Sequence, residues 1–230
     1  MRGSRLLPVL IVLACAGSVI AFWPTETRIG INYEVSTYRL PLYETALHFF
    51  SRELQAQRLA KQITESATDD EERILQLFSW TLRHVHPNPP GLPIVDDHVL
   101  NILIRGYGMP DQRTEAFALL ASARGFPAGA AFLQPKGSSH DLVVALVKLH
   151  GRVIVLDVAN GLIFRNRSGR LASVDEIRAD PELVLDACNG LRLHGIPYPR
   201  YIEQLGNTSS EPFLRMQRQS FWERLKLVIQ

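Results

Sequence analysis

A chain of 230 residues that is 46% hydrophobic and 21% charged can bury one substantial core, and it lacks the compositional bias of a disordered segment. Its net charge of +2 comes with no Lys/Arg run interleaved with aromatics, which excludes a nucleic-acid partner from the reading. There are two cysteines, and Cys15 lies in an apolar leader, so Cys188 has no intrachain disulfide partner and the fold rests on packing.

Residues 1–23 open with Arg2 and Arg5 and continue as an almost unbroken apolar stretch to Phe22 and Trp23. This is the pattern of an export segment. Its length suits an uncleaved signal anchor, with the arginines held in the cytoplasm and Trp23-Pro24 at the interface. Two other outcomes stay open: cleavage after Ala16-Gly17-Ser18, or lipid attachment at Cys15, since Val12-Leu13-Ala14-Cys15 resembles a bacterial lipoprotein signal. Each puts the remainder outside the cytoplasm. Residues 24–41 read as a polar lead-in, either a spacer or an edge strand.

From Leu42 the apolar period becomes helical through Leu47, Phe50, Leu54, Leu59 and Ile63. Asp69 to Glu72 place acidic side chains at the positive end of a second helix, which must stop before Pro87. A proline-rich loop at 88–93 leads to Asp96-Asp97-His98 and a short apolar run, 99–104. A third helix is predicted over 111–124, capped by Gly125. The period then changes from helical to extended: strands over 128–133, 141–149 and 153–158, a tight turn at His150-Gly151, and a short fourth strand near 162–164. Ser173-Val174-Asp175-Glu176 has the spacing of a capping box, and a further short helix follows at 181–187. Helices followed by antiparallel strands define an α+β class. The domain is placed at 42–205, and the tail, 206–230, reads as an amphipathic helix with a basic face.

A thiol enzyme sets its cysteine at a helix N-terminus, a histidine on a neighbouring strand and a carboxylate beside the imidazole. Here a helix begins near Pro110, His140 precedes one strand and Asp157 ends the next, so a hairpin turning at 150–151 is expected to bring imidazole and carboxylate together. The run from Pro110 to Leu120 closing at Gly125-Phe126-Pro127, followed by His140, Gly151-Arg152-Val153 and Leu156-Asp157-Val158, resembles bacterial transglutaminase-like domains of the papain-like superfamily. The resemblance covers roughly residues 69–161. It implies a papain/transglutaminase-like fold and a bacterial envelope setting, and it sets Pro110 where that family carries its nucleophile. Proline suits the first turn of a helix but has no nucleophile.

On this reading His140 and Asp157 are the remnant of a triad, while Arg105, Tyr107, Gln112, Asp97 and His98 line a ligand cleft. Thr114, Ser122 and Cys188 are the available substitutes for the lost thiol. The cluster of Asp96, Asp97 and His98 with His84, His86 and His140 lacks any tight ligand spacing, so neither a metal nor another cofactor is expected. The leading function is a non-catalytic domain that binds a peptide, glycan or protein partner at the bacterial inner membrane. The alternatives are an active envelope protease, amidase or acyl transferase with a relocated nucleophile or metal, and a structural subunit of a membrane-associated assembly.

Overall fold

A computed structural model of the chain describes residues 6–32 and 34–207, together with Pro212, Phe213, Met216 and Ser220. The chain is α+β and divides into two compact units, Met1–Arg52 with Pro93–Asp97, and Glu53–Leu92 with His98–Gln230.

In the first unit, α1 (Leu6–Ala21) presents apolar side chains such as Val9, Ile11 and Ile20 to the outside. At 1.5 Å per residue its 16 residues span about 24 Å, against about 30 Å for a bilayer core. Among the described residues no helix is long and apolar enough to cross a membrane. Residues 24–41 are more than a lead-in. They fold as an antiparallel hairpin, β1 (Pro24–Ile31) with β2 (Glu34–Pro41), paired from Pro24 with Pro41 to Ile31 with Glu34. Asn32 makes the turn at a left-handed φ of 50°, and its side chain accepts a hydrogen bond from the Ile94 N–H at 2.8 Å. α2 (Leu42–Ile63) begins in this unit and runs on into the second, which holds α3 (Asp70–His84) and the two-residue strand β3 (His86–Pro87), while β4 (Val95–Asp96) belongs to the first. β4 adds to the hairpin through Gly30 and Ile31.

In the second unit, the Asp69 side chain caps α3, accepting from the Glu72 N–H. The apolar run at 99–104 forms a helix, α4 (Val99–Arg105), with His98 as its N-cap and Gly106 as a left-handed C-cap. β5 (Tyr107–Gly108) pairs parallel with β3 and leads into α5 (Pro110–Ala123). Four antiparallel strands then form the main sheet in sequence order: β6 (Ala128–Leu133), β7 (Leu142–Leu149), β8 (Arg152–Asp157) and β9 (Leu162–Ile163). The β7–β8 turn is His150-Gly151, both residues left-handed. After the sheet come α6 (Val174–Ala179), α7 (Glu182–Cys188), the hairpin of β10 (Arg192–Leu193) with β11 (Ile196–Pro197), and α8 (Pro199–Ile202) with a 3-10 turn at Glu203–Asn207.

The sheet is covered on both faces, which explains why β7 reads as an apolar run with little alternation. Ala145, Val147, Ile154 and Leu156 pack on α3 and α5 through Leu77, Phe78, Phe117 and Leu120. Val144, Leu146 and Val155 face the opposite layer of Ile177, Val184, Cys188, Tyr198 and Tyr201. The predicted tail helix lies outside the described residues, apart from Pro212, Phe213, Met216 and Ser220; Phe213 and Met216 are buried.

Candidate functional site

Proline at the first position of α5 removes no helical hydrogen bond and fixes φ for the helix that follows. Gln112, at the third helical position, turns its side-chain oxygen back to accept from the Met109 N–H at 3.1 Å, which is half of a capping box. The same oxygen accepts from Arg105 Nη2 at 2.9 Å, while Arg105 Nε donates to the Tyr107 carbonyl at 2.9 Å. The Arg105 guanidinium also lies over the Tyr107 ring, 5.6 Å from its centre. Gly108 permits this closeness, since a Cβ there would stand 3.0 Å from the Gln112 side-chain oxygen. Three of the residues read as cleft lining thus form a bracket joining the end of α4 to the start of α5.

One turn further along α5, the Thr114 hydroxyl donates to the Pro110 carbonyl at 2.8 Å, an ordinary back-bond of a buried helix residue. The Ser122 hydroxyl accepts from the Ala128 N–H at 3.3 Å. Arg113 is buried and donates to the carbonyls of Val85 at 2.9 Å and Ala159 at 3.0 Å. Burial draws its pKa down, and the nearby Asp157 charge opposes that shift.

Asp157 is fully buried at the end of β8. Its carboxylate accepts from the Tyr198 hydroxyl at 2.7 Å, the Asn160 side-chain amide at 2.7 Å and the Asn160 backbone N–H at 2.9 Å. Burial raises the carboxyl above its ordinary range, while these donors act in the other direction. Tyr198 is driven further from ionisation by burial and by the Asp157 charge, so it remains a donor. Tyr198, Asn160 and Arg113 were not singled out in the sequence. Asn160, three residues after an aspartate, had a local turn signal, whereas Tyr198 is 41 residues away and had none.

His140 is not among these partners. The β7–β8 ladder pairs Ala145 with Leu156, so the next step outward sets Val144 beside Asp157, and His140 lies four residues beyond. That is roughly 13 Å along a strand. The expected meeting of imidazole and carboxylate does not occur, because the histidine stands ten residues before the turn and the aspartate six after it. His140 is exposed and stacks on His194, with ring centres 4.0 Å apart and planes 10° apart.

The Asp96-Asp97-His98 triplet is divided. Asp96 pairs in the sheet of the first unit, Asp97 is half-buried in that unit, and His98 begins the second, its Nδ1 accepting from the Leu100 N–H at 3.1 Å. His84 holds the Trp80 carbonyl at 2.9 Å through Nδ1 and stacks on the indole. No group of three or more His, Cys, Asp or Glu side chains among the described residues is arranged to hold a metal ion. Cys188 ends α7, buried in the Tyr198 layer. A cleft of about 500 Å³ opens elsewhere, lined by Asp69 to Glu72, Leu75, Leu149, His150 and Arg170, with His150 Nε2 2.9 Å from Asp70.

No family model matches the sequence. No curated protein matches it either. Among solved structures, the chain is similar to a proposed cysteine protease from Cytophaga hutchinsonii, at 12% identity and a TM-score of 0.40, over 52% of this chain and 40% of that one. It is also similar to a proposed protease from Parabacteroides distasonis, at 11% identity and a TM-score of 0.37, over 58% of this chain and 35% of that one. The chain therefore spans less than half the length of either.

Proposed function

We propose that this chain is a transglutaminase-like domain without thiol chemistry, held at the bacterial cell envelope by its N-terminal apolar segment and binding a peptide, glycan or protein partner there. The family and the bacterial setting rest on the sequence resemblance between residues 69 and 161. The non-catalytic part rests on one observation: the carboxylate of Asp157 is engaged by Tyr198 and Asn160 instead of a histidine. An imidazole without its orienting carboxylate is a poor general base, and Pro110 offers nothing for it to activate. The apolar exterior of α1, ending in exposed Phe22 and Trp23, supports attachment to a lipid surface.

The test places a cysteine back at the helix start. In Pro110→Cys, iodoacetamide should modify the new thiol at the same rate with and without His140→Ala, within about twofold, because His140 is stacked on His194 and is not oriented by the Asp157 carboxylate. Native Cys188, buried in the Tyr198 layer, should react far more slowly than an exposed thiol. A rate at position 110 that falls about tenfold on loss of His140 would restore the catalytic pair and overturn the proposal.

A further inference from the structure

Val9, Leu10, Ile11, Val12 and Leu13 of α1 are each more than half exposed. At about 100° per residue, five consecutive side chains pass right round a helix. α1 therefore offers no single face to a protein groove, and an apolar helix uncovered on every side suits lipid. The exposure continues where α1 ends. Phe22 and Trp23 are 67% and 62% exposed, and the start of α2 adds Tyr43 at 42% and Leu47 at 64%. Tyr43 and Leu47, at i and i+4, share one side of that helix.

These side chains stand on one tied corner of the first unit. The Phe22 and Tyr43 rings meet edge to face, with centres 5.3 Å apart and planes 64° apart. The Leu42 N–H donates to the Trp23 carbonyl at 2.8 Å, joining the exit of α1 to the entry of α2. At the base of the β1–β2 hairpin Pro24 pairs with Pro41. Beside them the Thr25 hydroxyl donates to the Leu40 carbonyl at 2.9 Å, and the Thr45 hydroxyl lies 2.7 Å from the same Thr25 oxygen. Whatever holds α1 therefore draws Tyr43 and Leu47 with it. No lysine or arginine occurs in 21–27 or 40–48, whereas Glu26 and Glu44 do, so attraction to anionic lipid is not the source of any contact at this corner.

We propose that Phe22, Trp23, Tyr43 and Leu47 form a collar seated in the interface of a phospholipid bilayer, recognised through apolar and aromatic contact and not through charge. The inference rests on the reading that α1 attaches the chain to a membrane, and adds that the first turns of α2 share the attachment. Indole and phenol rings suit that depth, since each has an apolar body and one polar group that stays wet. The length of α1 favours it too. A helix of about 24 Å does not fill a hydrocarbon core of about 30 Å, and such a mismatch thins the bilayer locally and draws flanking residues into the interface. The collar is independent of the Asp157 network, and the non-catalytic reading does not depend on it.

Fluorescence quenching in the full-length chain tests this. Each protein carries Cys15→Ser and one added cysteine, labelled with a fluorophore and mixed with phosphatidylcholine vesicles containing a nitroxide lipid. The sites are Ile20→Cys on α1, Leu47→Cys on α2 and Val35→Cys on β2, all exposed positions whose replacement leaves the packing intact. Val35 stands about 20 Å along the strand from Pro41 at the hairpin base. Cys15→Ser alone gives the background from buried Cys188. Emission should fall about threefold or more at positions 20 and 47 and change little at 35. Quenching at 20 without quenching at 47 would overturn the collar, leave the attachment standing and give the corner to a protein partner. No quenching at either would overturn the attachment, and the collar with it. Equal quenching at 35 would overturn the collar as well, because the contact would not be confined to the corner.

Discussion

Replacing Asp157 is the most informative perturbation of the second unit. Asp157→Ala removes the acceptor of three hydrogen bonds and leaves the buried Tyr198 hydroxyl and the Asn160 N–H without a partner. An orphaned buried donor costs about 1–3 kcal/mol. Loss of the charge beside buried Arg113 adds to this, and relief of carboxylate desolvation subtracts from it. The balance is about 3 kcal/mol of destabilisation, read as a lower midpoint in urea unfolding. A double-mutant cycle locates the source. Asp157→Ala with Tyr198→Phe should show a coupling of about 1 kcal/mol or more, whereas Asp157→Ala with His140→Ala should be additive within about 0.5 kcal/mol. The pH dependence has a defined sign: burial raises the folded-state carboxyl above its ordinary 3.8, so the folded protein holds this proton more tightly than the unfolded chain. Its contribution is full below 3.8 and declines as pH rises through the folded value, and Asp157→Asn should remove that decline. A cost under about 1 kcal/mol, or strong coupling to His140, would refute the buried-network account.

Two further outcomes follow from the packing. Glu176 is buried in part, which raises its pKa, but donors from Ser173, Asn166 and Arg152 outweigh this and hold it at about 2. Because that side chain is 37% exposed, Glu176→Gln should cost only about 1–2 kcal/mol at pH 7, and the gap from wild type should close as pH falls from 4.5 toward 2; a pH-independent gap in urea midpoints would count against the network. Gly129→Ala would set a methyl carbon 2.2 Å from the Pro212 carbonyl oxygen, and a loss of about 2–3 kcal/mol is expected; a melting temperature within a degree of wild type would show that the contact yields freely.

Much of the second unit was legible from local chemistry. Asp69 and the Ser173/Glu176 box mark helix starts, Gly125 a helix stop, and His150-Gly151 a hairpin turn, because each requires a cap or a left-handed residue whatever surrounds it. The β1–β2 hairpin was less legible, since residues 24–41 are largely exposed and show no clean apolar face; only Asn32 signalled the turn. α4 read as an undirected apolar run, because seven residues are too short for a helical period to emerge, although His98 and Gly106 bracket it. At the site, counting residues from the 150–151 turn would have shown that His140 and Asp157 are out of step. Tyr198 was invisible, since its hydroxyl reaches Asp157 only through the packing of α7 and α8 against the sheet. The same applies to the meeting of His140 with His194.

β6 is the outermost strand of the main sheet, and among the described residues no strand pairs with its far side, the kind of edge that can recruit a strand from another chain. Phe213 belongs to the layer on one face and Met216 to the layer on the other, while the Pro212 carbonyl presses on Gly129 within β6 itself. Three described residues of the C-terminal segment thus reach both layers of the core and the outermost strand, so the packing of the sheet depends on a stretch of chain that lies beyond its last strand and helix.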